Sequence, residues 1–223
     1  MLCAGVVLPH PPLLVPEVAG GAAAELDGLR DACIAALSEG LAAAPDRIVL
    51  VGTGEPGRAG GGPSLAPYGL PGPADAWPLS LTIGSWLLDH AGWAGDRLFR
   101  TVAADATAAE CAAAGAEIAG QEGRALLVAV GDGSARRSLA APGHLDPRAE
   151  AFDAVVSTAF GAGDGPTVLS LNAGVATELM VAGRAPWQVF AGAFGDAPVA
   201  ARLHYEGAPY GVGYFVACWC PAP

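Results

Sequence analysis

His10 stands in the run Pro9-His10-Pro11-Pro12, directly after an apolar stretch, and its setting suits chemistry better than that of the other three histidines. Proline fixes φ near about −65°, so three of them restrict the loop and hold the imidazole in one place. A ring held this way can serve as a metal ligand or a proton acceptor, although one histidine without partners also reads as an ordinary surface-loop residue. His90 closes a helical stretch, where a polar or cationic residue is common. His204 shares a strand face with Arg202 and Glu206 and reads as solvated. His144 lies in the loop 132–147, which also carries Asp132 and Ser134 in GDGSARRS. A serine nucleophile with His144 as its base is one reading of that loop, and a turn serine bonding to nearby amides is the other. Gly52, Gly54 and Gly57 in GTGEPG make a literal GxGxxG. That motif cradles a pyrophosphate only when it opens a helix, and here Pro56 and residues 58–63 (RAGGGP) lead into more loop.

The elements that would position these residues alternate along the chain. Residues 2–8 form a short apolar run that reads as a buried first strand. Across 22–43, Leu26, Leu29, Cys33, Leu37 and Leu41 recur at helical spacing, with Glu25, Asp27, Asp31 and Glu39 mostly on the other side. RIVLVG at 47–52 is a second buried strand, followed by a long Gly/Pro segment at 54–78. The pattern continues with a strand at 79–83, a helix at 85–90, a strand at 98–102, a helix at 105–119 and a strand at 125–131. Helices follow at 148–160 and from about 172 to 182. The end of the chain changes character: 199–206 and 213–219 flank a Gly/Pro turn and read as an antiparallel hairpin. Alternation of this kind predicts an α/β fold: a mostly parallel central sheet covered by helices on both faces, with the C-terminal hairpin as an antiparallel addition. No linker or internal repeat divides residues 1–223, so a single domain is expected. Ligands of such sheets bind beyond the carboxyl ends of the strands. Those ends carry the segments 9–16, 52–63 and 132–144, which makes His10, Glu55, Asp132, Ser134 and His144 the expected pocket lining.

Composition sets the outer limits. Eleven basic residues, all arginine, face 22 acidic ones for a net charge of −11, which argues against nucleic acid or an anionic membrane as the main partner. Mean hydropathy is +0.41. Even so, no apolar run reaches the roughly 18 residues that a membrane span needs. Met1 to Leu8 is preceded by no basic residue and is cut short by the prolines, so a signal peptide is not expected and a cytoplasmic location is. Five scattered cysteines describe reduced thiols better than a disulfide framework. Cys218 and Cys220 share a strand face, where small core residues at a period of two explain them as well as a metal or redox pair does.

Six segments together bring a family into view. Residues 6–18 (VVLPHPPLLVPEV), 47–52 (RIVLVG), 130–138 (VGDGSARRS), 142–153 (PGHLDPRAEAFD), 183–193 (GRAPWQVFAGA) and 209–217 (PYGVGYFVA) follow the order and spacing of the class III extradiol ring-cleaving dioxygenases of the LigB type and the related Memo-like proteins. The chain resembles that family over nearly its whole length. The resemblance implies an α/β sandwich with a non-haem Fe(II) at the strand ends, bound by two histidines and a carboxylate. Free positions on the metal would take a catechol-like substrate and O₂, with a further histidine as acid/base.

His10 matches the first ligand of that family. Thr53, Gly54 and Glu55 stand where relatives carry the second histidine, Ala135 stands where they carry the acid/base histidine, and Ala182 falls at the third ligand, one helical turn after Glu178. Two readings follow. In one, His10, Glu55 and Glu178 hold Fe(II) or another divalent metal, and His144, Asp132 and Ser134 act on a catechol-like aromatic. In the other, the fold persists without the metal, either as a binding module for a small aromatic or acidic ligand or as an interaction protein. Three replacements out of four argue against ordinary ring cleavage. Relatives commonly associate, and Trp77, Trp86, Trp93, Trp187 and Trp219 offer extra surface to bury, so a homodimer is expected.

Overall fold

The computed structural model describes residues 1–55 and 61–222. Gly57, the last glycine of the GxGxxG, lies outside them. The chain forms β1 (Leu2–Leu8), α1 (Pro16–Ala19), α2 (Asp27–Leu41), β2 (Arg47–Thr53), α3 (Leu79–His90), β3 (Asp96–Val102), α4 (Ala108–Ala119), β4 (Ala125–Val130), α5 (Arg148–Ala162), α6 (Gly165–Leu169), α7 (Ala173–Glu178), α8 (Arg184–Phe194), β5 (Val199–Gly207) and β6 (Tyr214–Pro221). One six-stranded sheet runs in the order β3-β2-β4-β1-β6-β5. The first four strands of that order are mutually parallel, β6 pairs antiparallel with β1, and β5 pairs antiparallel with β6. This is the expected α/β architecture with its terminal hairpin.

Strand alternation sorts the core into two layers. Val7, Val49, Val51, Leu127 and Ala129 pack with α4, α5 and α8 through Cys111, Ile118, Val156, Phe160, Trp187 and Phe190. Val6, Leu8, Ile48, Leu50, Val128 and Val130 face α2 and α3 through Leu29, Cys33, Leu37, Leu81, Ile83 and Leu87. Phe160 sits among Trp187, Phe190, Phe215 and Trp219, and its carbonyl accepts the Trp219 indole N–H at 2.8 Å. Trp187 and Trp219 thus spend their surface inside one subunit.

Register places the loops. Leu8 lies opposite Val130, Val130 opposite Gly52, and Gly52 opposite Thr101. Four parallel strands therefore end in one row, and the segments that follow them leave from a common rim.

The sequence reading departs from the structure in several places, among them α6, which was not expected, and α7, which ends at Glu178 and not near 182. Residues 79–83 are the start of α3, not a strand. That helix buries Ser80, Leu81, Thr82, Ile83, Gly84 and Ser85 in succession, and a short run buried all round carries no period that separates helix from strand. Helix α8 was not expected. Its residues Arg184 to Phe194 are almost all buried, the polar Arg184 and Gln188 included, so its polar side does not mark a face turned to solvent. Residues 20–26 are 3₁₀ turns, and the regular helix begins only at Asp27. His204 does not face solvent: it shares a face with Arg202, and both meet Glu39 of α2, with His204 Nε2 3.0 Å from Oε2. At α4, a Thr107/Glu110 capping box explains why the helix starts after 105.

Helices α4 and α8 meet backbone to backbone. A Cβ on Gly115 would lie 2.2 Å from the Val189 carbonyl oxygen and 2.5 Å from the Ala193 nitrogen. Glycine-to-alanine in a free helix gains about 0.5 to 1 kcal/mol. Here overpacking reverses the sign, and Gly115→Ala is expected to lose about 1 to 3 kcal/mol in urea unfolding. A stabilised variant would show that the two helices separate easily.

Candidate functional site

Two residues past the Leu8/Val130 pair, the neighbouring parallel strands β1 and β4 deliver His10 and Asp132 to the same point on the rim. The Gly131 N–H donates to the Leu8 carbonyl at 2.9 Å and extends the ladder by one step. Asp132 Oδ1 then accepts the His10 backbone N–H at 2.7 Å. The imidazole Nδ1 stands 3.3 Å from the same oxygen, with the two side chains only 15% and 16% exposed. Nδ1 is fully enclosed and has no aligned hydrogen bond of its own, because the oxygen it faces already serves the backbone. Burial pulls the His10 pKa down, but the Asp132 carboxylate pulls it up more strongly, so the ring holds its proton above the ordinary histidine range. Burial raises the Cys33 thiol against the pull of Arg30, and it raises the Tyr214 hydroxyl with a smaller push from the Asp132 charge.

The other expected site residues take different roles. Ser134 is wholly buried. Its N–H donates to Asp153 Oδ1 at 2.9 Å, and its hydroxyl donates to the Leu179 carbonyl at 3.1 Å while accepting the Arg136 N–H at 3.2 Å. Asp153 in turn holds Arg137 at 3.1 Å, and burial raises its carboxyl pKa against the pull of the Ser134 N–H and the arginine. Ser134 acts as a strut beneath the loop 132–147, with its hydroxyl donating to one backbone group and accepting from another. His144 has a left-handed backbone, φ 59°, and its exposed ring bonds through Nδ1 to the Leu139 carbonyl of its own loop at 2.8 Å. It is not delivered to His10 as a base.

Glu178 is exposed, and its carboxylate accepts from Arg148 at 2.6 Å. Glu55 is also exposed, and its carbonyl accepts the Thr101 hydroxyl at 2.6 Å. Among the described residues no three His, Cys, Asp or Glu side chains gather into a group able to hold a metal. The expected ligand set His10, Glu55 and Glu178 is accordingly not assembled, and neither is the expected pocket wall. His10 and Asp132 come together; Ser134 is buried beneath them, and His144 and Glu178 are bonded elsewhere.

Sequence reasoning passed over a cavity on the same rim. A space of about 290 Å³ is lined by Thr53, Ala104, Ala176, Thr177, Met180, Val181, Ala182 and Arg184. Thr53 follows Val49 and Val51 on the α8 side of β2, and its hydroxyl donates to the Ala182 carbonyl at 2.9 Å. The buried Arg184 donates to the carbonyls of Ala104 and Ala106 and to Gln188, which fixes one wall. These residues carry little chemistry of their own. The expectation that came nearest to it set the run Thr53, Gly54 and Glu55, and Ala182, at positions where a similar family would carry metal ligands.

These groups do not fit Fe(II). Beside the single imidazole of His10 the chain offers a neutral hydroxyl at Thr53 and an alanine at 182, where the ion needs several basic donors.

Neither a family model nor a curated protein matches this chain. Among solved structures it is similar to the uncharacterized protein JW3007 from Escherichia coli K12, with a TM-score of 0.56 and 15% sequence identity over 98% of this chain and 99% of that one. At that identity the likeness shows the fold alone.

The His10/Asp132 pair carries a pH signature. A histidine whose folded pKa is raised adds stability below the ordinary value of about 6.5, and that stability is lost as pH rises through the folded value. Unfolding free energies taken from about pH 5.5 to 8.5 should show wild type exceeding His10→Gln at the acid end and the gap closing toward the alkaline end. A gap that stays constant would refute the coupling. Glu178→Gln, on an exposed ion pair, is expected to change stability by less than about 1 kcal/mol.

Proposed function

We propose that this chain is a LigB-like protein that binds a small aromatic ligand at the carboxyl rim of its sheet and does so without iron. The observation that carries the reading is the Thr53 to Ala182 hydrogen bond. By the resemblance, that bond ties the run Thr53, Gly54 and Glu55, which stands where relatives carry the second histidine, to the backbone of Ala182 at the third-ligand position, and Ala135 stands at the acid/base position. The cavity beside that bond has the chemistry of a ring pocket: alanines, Val181 and the Met180 thioether for apolar contact, and the hydroxyls of Thr53 and Thr177 for orientation. About 290 Å³ lies at the small end of ligand sites and suits one ring. His10 and Asp132 supply a polar pair on the same rim. A reducing, cytoplasmic setting goes with this reading, since all five cysteines are free. No helix among the described residues is long and apolar enough to cross a membrane.

The test pairs ligand binding with metal loading. Ligand-observed NMR against phenol, catechol and benzoate should detect a one-ring binder, and Ala182→Phe, which fills the cavity from an exposed position, should abolish it. Anaerobic titration with Fe(II), followed by metal analysis, should leave less than about a tenth of an equivalent bound. Stoichiometric iron together with oxygen uptake on catechols, both lost in His10→Ala, would overturn the proposal in favour of a ring-opening dioxygenase.

A further inference from the structure

Helix α3 has two covered faces. One packs on the sheet, where a Cβ on Gly52 would lie 2.2 Å from Ser80 Oγ and one on Gly84 2.9 Å from the Leu50 side chain. The other carries Thr82, Ser85, Trp86 and Asp89, which follow one another at helical spacing and form a single stripe. A stripe this polar ordinarily meets solvent, yet Thr82 is 3% and Ser85 6% exposed. The segment 63–71 lies over it. Ser64 pins that cover: its N–H reaches Thr82 Oγ1 at 3.4 Å, and its hydroxyl donates to the Pro73 carbonyl at 2.9 Å while accepting the Ala66 N–H at 3.2 Å.

The cover does not close on the helix. A cavity of about 250 Å³ remains, walled by Pro63, Leu65, Leu70 and Pro71 on one side and by the polar stripe on the other. Its helix wall holds hydrogen-bonding capacity that the protein leaves unspent. Thr82 Oγ1 accepts from Ser64, and Ser85 Oγ accepts from Arg97 Nη1 at 2.8 Å, but neither hydroxyl donates to a group among the described residues. A buried donor without an acceptor is costly, so both protons call for a ligand oxygen. Asp89, at the open end, gives Oδ1 to Arg97 Nη2 at 2.6 Å, which leaves Oδ2 to accept. His90 holds Trp86 in place, its ring centroid 3.8 Å from the indole and its Nδ1 2.8 Å from the Trp86 carbonyl.

Charge and shape narrow the ligand. No lining residue is cationic, so an anion finds no counter-charge on the wall. Arg97 already neutralises Asp89, so a cation gains little. A purely apolar ring would leave both hydroxyl protons unpaired. A neutral ring with hydroxyls on its rim meets every demand: its oxygens accept from Thr82 and Ser85, one of its hydroxyls donates to Asp89, and its C–H faces lie against Trp86, Leu65 and Leu70.

We propose that this cavity is a saccharide site, taking one neutral pyranose or cyclitol ring. It lies on the α3 side of the sheet, away from Thr53, and goes beyond the aromatic-ring reading.

The experiment is an amide- and indole-detected NMR titration of the full chain with D-glucose, D-galactose and myo-inositol, with cyclohexanol as a ring bearing one hydroxyl. Saturable shifts are expected at residues 82–89 and at the Trp86 indole N–H for at least one of the three polyols, with cyclohexanol at least about tenfold weaker. Thr82→Val keeps the shape, removes the hydroxyl, and should weaken the polyol midpoint about fivefold, the worth of one neutral hydrogen bond. Leu70→Trp, on the partly exposed cover, should fill the cavity and abolish the shifts. The site is overturned by no saturation with any polyol up to about 100 mM, by cyclohexanol binding as well as the polyols, or by a midpoint unmoved by either substitution. Should Thr82→Val unfold, Leu70→Trp decides alone. Ala182→Phe should leave this titration unchanged and Leu70→Trp should leave phenol binding unchanged, so a failure here is separate from a failure of the ring pocket.

Discussion

The parallel pairing of β1 with β4 is the constraint on which the site depends. These strands are far apart in sequence, yet Leu8 and Val130 stand opposite each other. Because their side chains alternate in phase, the residues two positions on also share a face. Asp132 can therefore bind the His10 backbone and face its ring at once. Slip the pairing by one residue and the carboxylate would enter the other core layer, unpaired and costly. The geometry of the pair is thus held by the apolar contacts of the whole central sheet, not by the few atoms that touch.

Support for the corner is layered outward from there. Asp153, fully enclosed on α5, holds the Ser134 amide and the Arg137 guanidinium, and so fixes the loop that carries Asp132. Removing one member of such a buried set strands the others, and the strut is worth more than its hydrogen bonds counted singly. The prolines around His10 do the equivalent on the other side by limiting the backbone before any contact is made.

How much of this was legible in the sequence depended on exposure contrast. β1, β2, β4 and the terminal hairpin stood out because apolar runs were bounded by turn residues, and α2 because its polar face reaches water. Helix α8 was invisible for the opposite reason, being buried nearly all round. The start of α3 was misread as strand because six buried residues in a row, Ser80 to Ser85, look alike in either form. At the site, the prolines drew attention to His10, and Asp132, which the structure sets beside it, was within sight at a strand end. What no spacing revealed was which side chains were already committed: Ser134 to Leu179, Glu178 to Arg148, and His144 to its own loop. Those are long-range or backbone hydrogen bonds, and a one-dimensional pattern does not encode them.

One strand, β2, presents different chemistry on its two sides. Thr53 belongs to the α8 layer, while Gly52 belongs to the α3 layer, one residue apart. The sheet between them separates the two core layers. Inserting a single residue near the end of β2 would exchange the two faces, setting a hydroxyl against Ser80 and a bare Cα against Ala182. The spacing of this strand is therefore less tolerant of insertion than of substitution, even though it ends in a loop.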